Sequence, residues 1–483
     1  MTFATPYLAP VYPEMFLLMA LSAILMLDLF ISEDKRFLTY AYSQLALLVT
    51  AALLVMGATG HVLSTFSGMF IDDPMARTLK LVAIIAVSFT MAYSRTYNQS
   101  RGLFRGEFYV LMLFALLGIM VMISANHFLA LYLGLELLSL SMCALIALQR
   151  DSAASSEAAM KYFVLAALAS GLLLYGLSML YGATGSLYMP MVANAIASGA
   201  ADPAILVFGL VFIVAGLAFK LGVVPFHMWV PDVYEGAPTA VTLFVSTAPK
   251  VAAFAFFMRL LVGALGPMVS DWQSMLVIVA VLSMLVGNVT AIAQTNLKRM
   301  LAYSTISHMG FLLLGILSGS LGGYAAAMFY AVAYVLMSLG AFGLILMLSR
   351  EGFEADQLDD LKGLNKRSPW YAFMMLLVMI SMAGIPVSVG FFAKLSVLSA
   401  VLDAGMTWLV VFAVMMSLIG AFYYLRVIKL MYMDEPTDSS PLVAEADHRV
   451  LIGLNGLAIL VLGIVPQPLI DLCMASIGQS MRG

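Results

Sequence analysis

Charge is what this chain has least of. Lys, Arg, Asp and Glu together make up 10% of its 483 residues, and 63% are hydrophobic. A soluble domain carries about 25% charged residues, so this balance excludes one and points to the bilayer. Cysteine is almost missing too. Cys143 and Cys473 stand far apart in apolar surroundings, so there is no disulfide framework, iron–sulfur motif or zinc spacing. No Gly-rich phosphate loop, dinucleotide fingerprint or basic nucleic-acid tract appears. The 37 methionines form no cluster with His or Cys and suggest no metal site. The start, MTFATPYLAPVYPEMF, lacks the basic and small-residue regions of a signal peptide, so the first hydrophobic segment is expected to stay as a helix. The net charge of −3 says nothing about partners; where the charges lie says more.

What is present is a series of long apolar runs. Fourteen can each cross about 30 Å of hydrocarbon. They lie at 14–32, 37–57, 74–94, 107–124, 127–149, 157–181, 203–226, 238–260, 272–295, 299–318, 322–349, 370–400, 405–432 and 449–472. Turn signals and alternation are too few for a β-barrel. The fold class expected is an all-α membrane protein of about fourteen transmembrane helices. Basic residues test that count. With both termini outside, 16 of the 23 Lys and Arg fall on inner connections, and only Arg77, Lys80, Arg259 and Arg482 fall outside. The split follows the positive-inside rule. Residues 182–202 are expected to form an outer loop with a short surface helix, and 351–369 a polar inner loop.

Two spans are broken alike. GLAFKLGVVPFH places Lys220 five residues before Pro225, and SMAGIPVSVGFFAKLS places Lys394 eight residues after Pro386. Proline removes a backbone bond, and in lipid that break needs protein or water around it. Broken helices in two halves point to an inverted repeat with its site at the breaks. Glu136 to Lys220 spans 84 residues and His308 to Lys394 spans 86. The expected organisation is three N-terminal helices (1–106), a five-helix repeat (107–265), its inverted copy (266–432) and a last helix (433–483), with helices 7 and 12 broken.

Four ionisable side chains lie deep in these spans: Glu136, Lys220, Lys250 and Lys394. Charge there costs at least a few kcal/mol, about 2.5–3.5 on insertion scales, and marks proton or ion paths. Glu136, in LGLELLSL, is expected to contact Lys220, either as a static ion pair or as the carboxylate that tunes a proton-exchanging amine. Thr242, Ser246 and Lys250 recur at i, i+4, i+8 on one face, like a hydrated path. Pro249 disturbs that helix. Lys394 lies nearer a helix end, so snorkelling competes with function there. His308 can pass a proton between its two nitrogens or serve as a packing residue. Asp232 in PFHMWVPDVYEGAP reads as a turn anchor, and Lys298 and Arg299 as inner-face anchors. Glu157 and Lys161 read as an i, i+4 pair at a helix start.

The run KLGVVPFHMWVPDVYEGAPTAVTLFVSTAPK, from Lys220 to Lys250, resembles the antiporter-like membrane subunits of respiratory complex I. So do LGLELLSL around Glu136 and QTNLKRMLAYSTISHMGF around His308. The resemblance covers about residues 1–475. Related members are the N, M and L types and the large subunits of multi-subunit sodium/proton antiporters. Lys394, where M types have glutamate, and the lack of a long C-terminal extension lead to an expectation of the N type. The resemblance implies fourteen helices in two inverted repeats and proton transfer through Glu136, Lys220, Lys250, His308 and Lys394. It implies no cofactor on this chain, with FMN, iron–sulfur clusters and quinone in partner subunits. The implied partners are an M-type subunit, small membrane subunits near the quinone site and the bilayer of a bacterial inner membrane, with both termini periplasmic and no nucleic acid. A sodium/proton antiporter subunit is the alternative. A scaffold with inert ion pairs is the third reading.

Overall fold

The computed structural model describes residues 6–58, 61–436 and 446–482. Its helices run in the order α1 (Tyr12–Asp28), α2 (Phe37–Met56), α3 (Pro74–Ser100), α4 (Gly106–Ile123), α5 (Phe128–Ile146), α6 (Ala153–Thr184) and α7 (Met189–Ala197). Then follow α8 (Pro203–Leu221), α9 (Trp229–Gly236), α10 (Thr239–Val245), α11 (Ala248–Phe257), α12 (Val269–Ile292), α13 (Leu297–Leu317) and α14 (Leu321–Leu348). The last are α15 (Leu364–Arg367), α16 (Pro369–Ala383), α17 (Val389–Asp403), α18 (Thr407–Met433), α19 (Ala446–Ile464) and α20 (Gln467–Ser480). A small hairpin, β1 (Leu63–Thr65) with β2 (Phe70–Asp72), joins α2 to α3 and was not expected.

The long helices follow from runs of Leu, Ala and Met, whose side chains lose little freedom in a helix. In hydrocarbon a backbone must also bond to itself, which leaves a helix as the default. Their starts are set by polar caps. Asp73 accepts from Ala76 N at 2.7 Å, Asp202 from Ala204 N at 2.8 Å and Asn296 from Arg299 N at 3.0 Å. In the first two, proline follows the cap at a position that has no N–H to satisfy.

Among the described residues twelve helical stretches are long and apolar enough to cross a membrane, with Thr239–Ala264 taken as one, and α19 with α20, bent by 82°, make a thirteenth if taken as one span. The expected segment 370–400 is divided into α16 and α17, 15 residues each. Neither alone reaches across about 30 Å, which is why the structure gives fewer unbroken spans than the hydropathy pattern did. Every residue from Thr239 to Leu261 is buried, and α13 is nearly so. By contrast α2, α6 and α18 turn most of their surface outward. The expected short helix in 182–202 is α7.

The breaks are made by glycine rather than proline. α8 ends at Leu221, because Gly222 takes φ +81° and its N–H, with that of Val223, returns to Ala218 O at 2.9 and 3.0 Å. α16 ends at Ala383 in the same way. Gly384 has φ +83°, and the N–H groups of Gly384 and Ile385 both bond Ile380 O at 3.1 Å. Only glycine adopts this left-handed turn freely, and Pro225 and Pro386 follow as chain stops. A third break, at Ser246 and Thr247, separates α10 from α11 one turn before Lys250.

Candidate proton-transfer site

The last turn of α8 gathers two amines. Lys220 lies in that turn and donates to Ser139 Oγ at 2.8 Å. Lys250, from α11, donates to Leu221 O at 2.8 Å and lies 5.2 Å from the Trp229 ring centroid. Trp229 Nε1 in turn donates to Phe219 O at 3.0 Å. A helix C-terminus offers free carbonyls and the negative end of its dipole, a place where an ammonium is welcome.

Glu136 does not meet Lys220 directly. The expected contact is corrected by the geometry. The Glu136 carboxylate accepts from Ser170 of α6, which also bonds the Tyr132 hydroxyl at 3.1 Å. The Lys220 amine reaches α5 at Ser139, three residues farther along. Each charged group is thus held by a hydroxyl, and no ion pair joins them.

The hydroxyls ahead of Lys250 are tied to backbone. Thr242 donates to Tyr234 O at 3.0 Å and Ser246 to Leu243 O at 3.0 Å. Their oxygens keep lone pairs for further donors.

The second group is built around α13. His308 Nδ1 bonds the Tyr330 hydroxyl at 2.7 Å and Nε2 bonds the Tyr424 hydroxyl at 3.0 Å. Tyr424 also bonds Ser304, and Thr305 bonds the Tyr334 hydroxyl at 2.7 Å. A neutral imidazole donates through one nitrogen and accepts through the other, so Tyr330–His308–Tyr424 is a continuous hydrogen-bonded row across three helices. Lys394 on α17 donates to Ala383 O at 2.8 Å and Ser417 Oγ at 2.9 Å, and its amine lies 5.2 Å from the Phe311 ring, one turn beyond His308. It points inward, so snorkelling is not its role. Among the described residues no direct hydrogen bond joins the Lys250 group to the His308 group.

Asp232 behaves as the anchor it was read to be. It holds Lys161 at 2.8 Å and Arg299 at 3.0 Å, tying α9 to α6 and α13. Partial burial pushes its carboxyl upward, but Lys161 and Arg299 outweigh that and leave it below the usual value.

Several buried charges were missed. Lys298, read as an inner-face anchor, is 3% exposed and donates to Ala237 O at 3.1 Å. Glu14 and Lys80 form a fully buried pair at 2.5 Å, and Asp73 chelates Arg259 at 2.7 and 3.0 Å. The sequence signal was there for Glu14, an acid in the first turn of an apolar helix, but its partner is 66 positions away. Among the described residues no group of His, Cys, Asp and Glu is arranged to hold a metal ion.

This arrangement can be set beside known proteins. A family model described as NADH:quinone oxidoreductase/Mrp antiporter, TM matches residues 125–420. The NADH-quinone oxidoreductase subunit N of Nitrosomonas europaea is 60% identical over 482 residues, covering 100% of both chains. The chain belongs to the NADH-quinone oxidoreductase subunit N family. A chain of respiratory complex I from Thermus thermophilus superimposes with TM-score 0.83 at 30% identity, over 96% of this chain and 100% of that one. A chain of the Mrp complex from Dietzia sp. DQ12-45-1b gives 0.85 at 20% identity, over 97% and 96%. The fold is therefore common to both functional readings. Sequence identity separates them and favours the subunit N family over the antiporter subunits.

Proposed function

We propose that the chain is a proton-translocating, non-redox membrane subunit of an NADH–quinone oxidoreductase. FMN, iron–sulfur clusters and quinone belong to partner subunits, and this chain binds none of them. Its neighbours are an M-type subunit and the small membrane subunits near the quinone site, in a bacterial inner membrane with both termini periplasmic. Energy released at the quinone reaches it as a change in electrostatics. Glu136 and Lys220 alternate between close and separated states, and a proton passes from Lys220 to Lys250, then by way of His308 to Lys394 and out.

One observation carries this reading. Lys220, Lys250 and Lys394 are buried, yet each amine is held by neutral oxygens alone. The same chain shows what a structural buried lysine looks like: Lys80 sits on a carboxylate at 2.5 Å. An amine held by carbonyls and hydroxyls can give up and regain a proton without breaking an ion pair. The Ser139–Lys220 and Ser170–Glu136 bonds fit the separated state of the pair.

The inverted-repeat organisation, 107–265 and 266–432, belongs to the same proposal. It is supported by the matching ends of α8 and α16. In each, a left-handed glycine closes the helix and a lysine from a later helix donates to the carbonyl just before it.

The test is Lys220→Met in the assembled complex, with NADH-driven proton uptake followed in inverted membrane vesicles. Proton uptake is expected to be abolished while the complex still assembles. Native uptake in that variant would end the proposal.

A further inference from the structure

The polar stretch between α14 and α15 carries a carboxylate with an unusual seat. Glu354 accepts from the Tyr97 hydroxyl of α3 at 3.1 and 3.2 Å and pairs at 2.6 Å with Arg101, the residue just after that helix. It also accepts from the Thr239 hydroxyl, on the first residue of α10. The Glu354 side chain keeps 24% of its surface exposed, whereas Thr239 is fully buried. The side chain is therefore within reach of water while its carboxylate rests on an interior hydroxyl.

Thr239 begins a polar face. Thr242, Ser246 and Lys250 follow it 3, 7 and 11 positions later, all buried. Thr239 and Thr242 share one side of α10, Ser246 lies at the break that ends it, and Lys250 follows in the first turn of α11. Glu354 is thus joined to the outer end of the face whose inner end is Lys250. Lys298 borders the same end, donating to Ala237 O two residues before Thr239, with Glu354, Asp356 and Glu235 as the acids acting on it.

A purely structural role would be a helix cap, and the contacts argue against it. The free N–H of Thr239 goes to the Tyr97 hydroxyl at 3.2 Å, and Glu354 accepts no backbone N–H among the described residues. The loop is already fastened independently. Leu297 N bonds Asp356 O at 2.5 Å, Leu358 N bonds Thr295 O at 2.9 Å, and Asn296 bonds the Asp356 side chain at 2.9 Å.

We propose that Glu354 is the proton-uptake group for Lys250. It takes a proton from water at the basic-rich face and becomes a neutral acid. It then gives that proton through the Thr239 hydroxyl to the polar face leading to the neutral amine of Lys250, and returns to a carboxylate paired with Arg101. The number of protons is conserved and no redox partner is needed. The proposal rests on the proton-translocating reading above.

The experiment compares Glu354→Gln, Glu354→Asp, Thr239→Val and Lys250→Met in inverted vesicles, reading NADH-driven proton uptake per assembled complex. General acid–base transfer is worth at least about a hundredfold where it limits, so E354Q should lose at least about tenfold, with E354D close to native and T239V reduced several-fold. Native uptake in E354Q, or equal losses in E354Q and E354D, would overturn the assignment. Should E354Q fail to assemble, T239V decides, because it keeps the carboxylate, its Arg101 pair and its Tyr97 bond: a native rate there overturns the proposal and a several-fold loss upholds it. Loss in K250M beside a native E354Q removes only the uptake site. Native rates in both K250M and E354Q remove the translocating reading itself.

Discussion

The buried amines of this chain fall into two kinds, and the difference is visible one residue at a time. Lys80 has a carboxylate partner, and the pair Glu14–Lys80 is almost without exposure. Removing one member strands the other's charge, which costs about 3–5 kcal/mol, whereas removing both can be nearly neutral. Lys80→Met should therefore lower the thermal stability of the purified complex, and the double variant Glu14→Gln/Lys80→Met should recover most of it. If K80M alone is as stable as native, the pair does not anchor α1 to α3. Lys220 is the other kind. Its hydrogen bond to Ser139 is with a neutral group, worth about 1 kcal/mol net. Ser139→Ala should leave stability almost unchanged yet slow proton uptake several-fold, because the separated state of Glu136 and Lys220 loses the hydroxyl that holds the amine. A native rate in S139A would show that Ser139 is only a bystander. The ionisable residues themselves were legible from sequence, since a charge inside an apolar run stands out. Their partners were not. Ser139 and Ser170 look like any small residues of a packed helix, and nothing local tells which helix will face them.

At the scale of the element, the informative feature is a helix that stops inside the hydrophobic region. Proline announced the breaks at Pro225 and Pro386, but the chain turns earlier, at Gly222 and Gly384. The reason is that proline marks where a helix cannot continue, whereas a left-handed glycine lets the last carbonyls be satisfied before that point. A Cβ at Gly222 would lie 2.6 Å from Val230 and 3.4 Å from the Lys250 amine, on backbone that a side chain adopts at a cost of about 1–3 kcal/mol. Gly222→Ala is expected to lower both the stability of the complex and its proton uptake. Gly182→Ala, in open space on α6, should change neither. Equal behaviour of the two variants, scored by thermal unfolding and by vesicle uptake, would mean that the end of α8 does not position Lys250. The third break, between α10 and α11, was half seen. Pro249 was noticed, but the turn falls at Ser246 and Thr247, where hydroxyls take over carbonyls of Leu243 and Phe244.

For the whole molecule, hydropathy and charge were enough to set the helical class and to place almost every crossing segment. They were not enough to say which segments are central. The span from Thr239 to Ala264 and the span of α6 read alike as apolar, yet the first is buried at every residue through Leu261 and the other is mostly turned outward. Periodicity cannot make that distinction in a membrane, because lipid-facing and core-facing positions are both apolar. What the basic residues add is an expected direction. Lys35, Arg36, Arg101, Arg105, Arg150, Lys362, Lys366 and Arg367 lie at connections assigned to one face, and the loop that carries Glu354 is among these connections. If that face is cytoplasmic, as the positive-inside rule requires, proton uptake at Glu354 starts from the correct compartment. Two exposed sites report the orientation directly: Asp359 on the loop with Glu354, and Ser198 just after α7. With Cys143 and Cys473 replaced by serine, Asp359→Cys should react with a membrane-impermeant maleimide only in inverted vesicles, and Ser198→Cys only in right-side-out ones. The reverse pattern would place Glu354 on the outlet side, and its role would have to be that of a proton-release group.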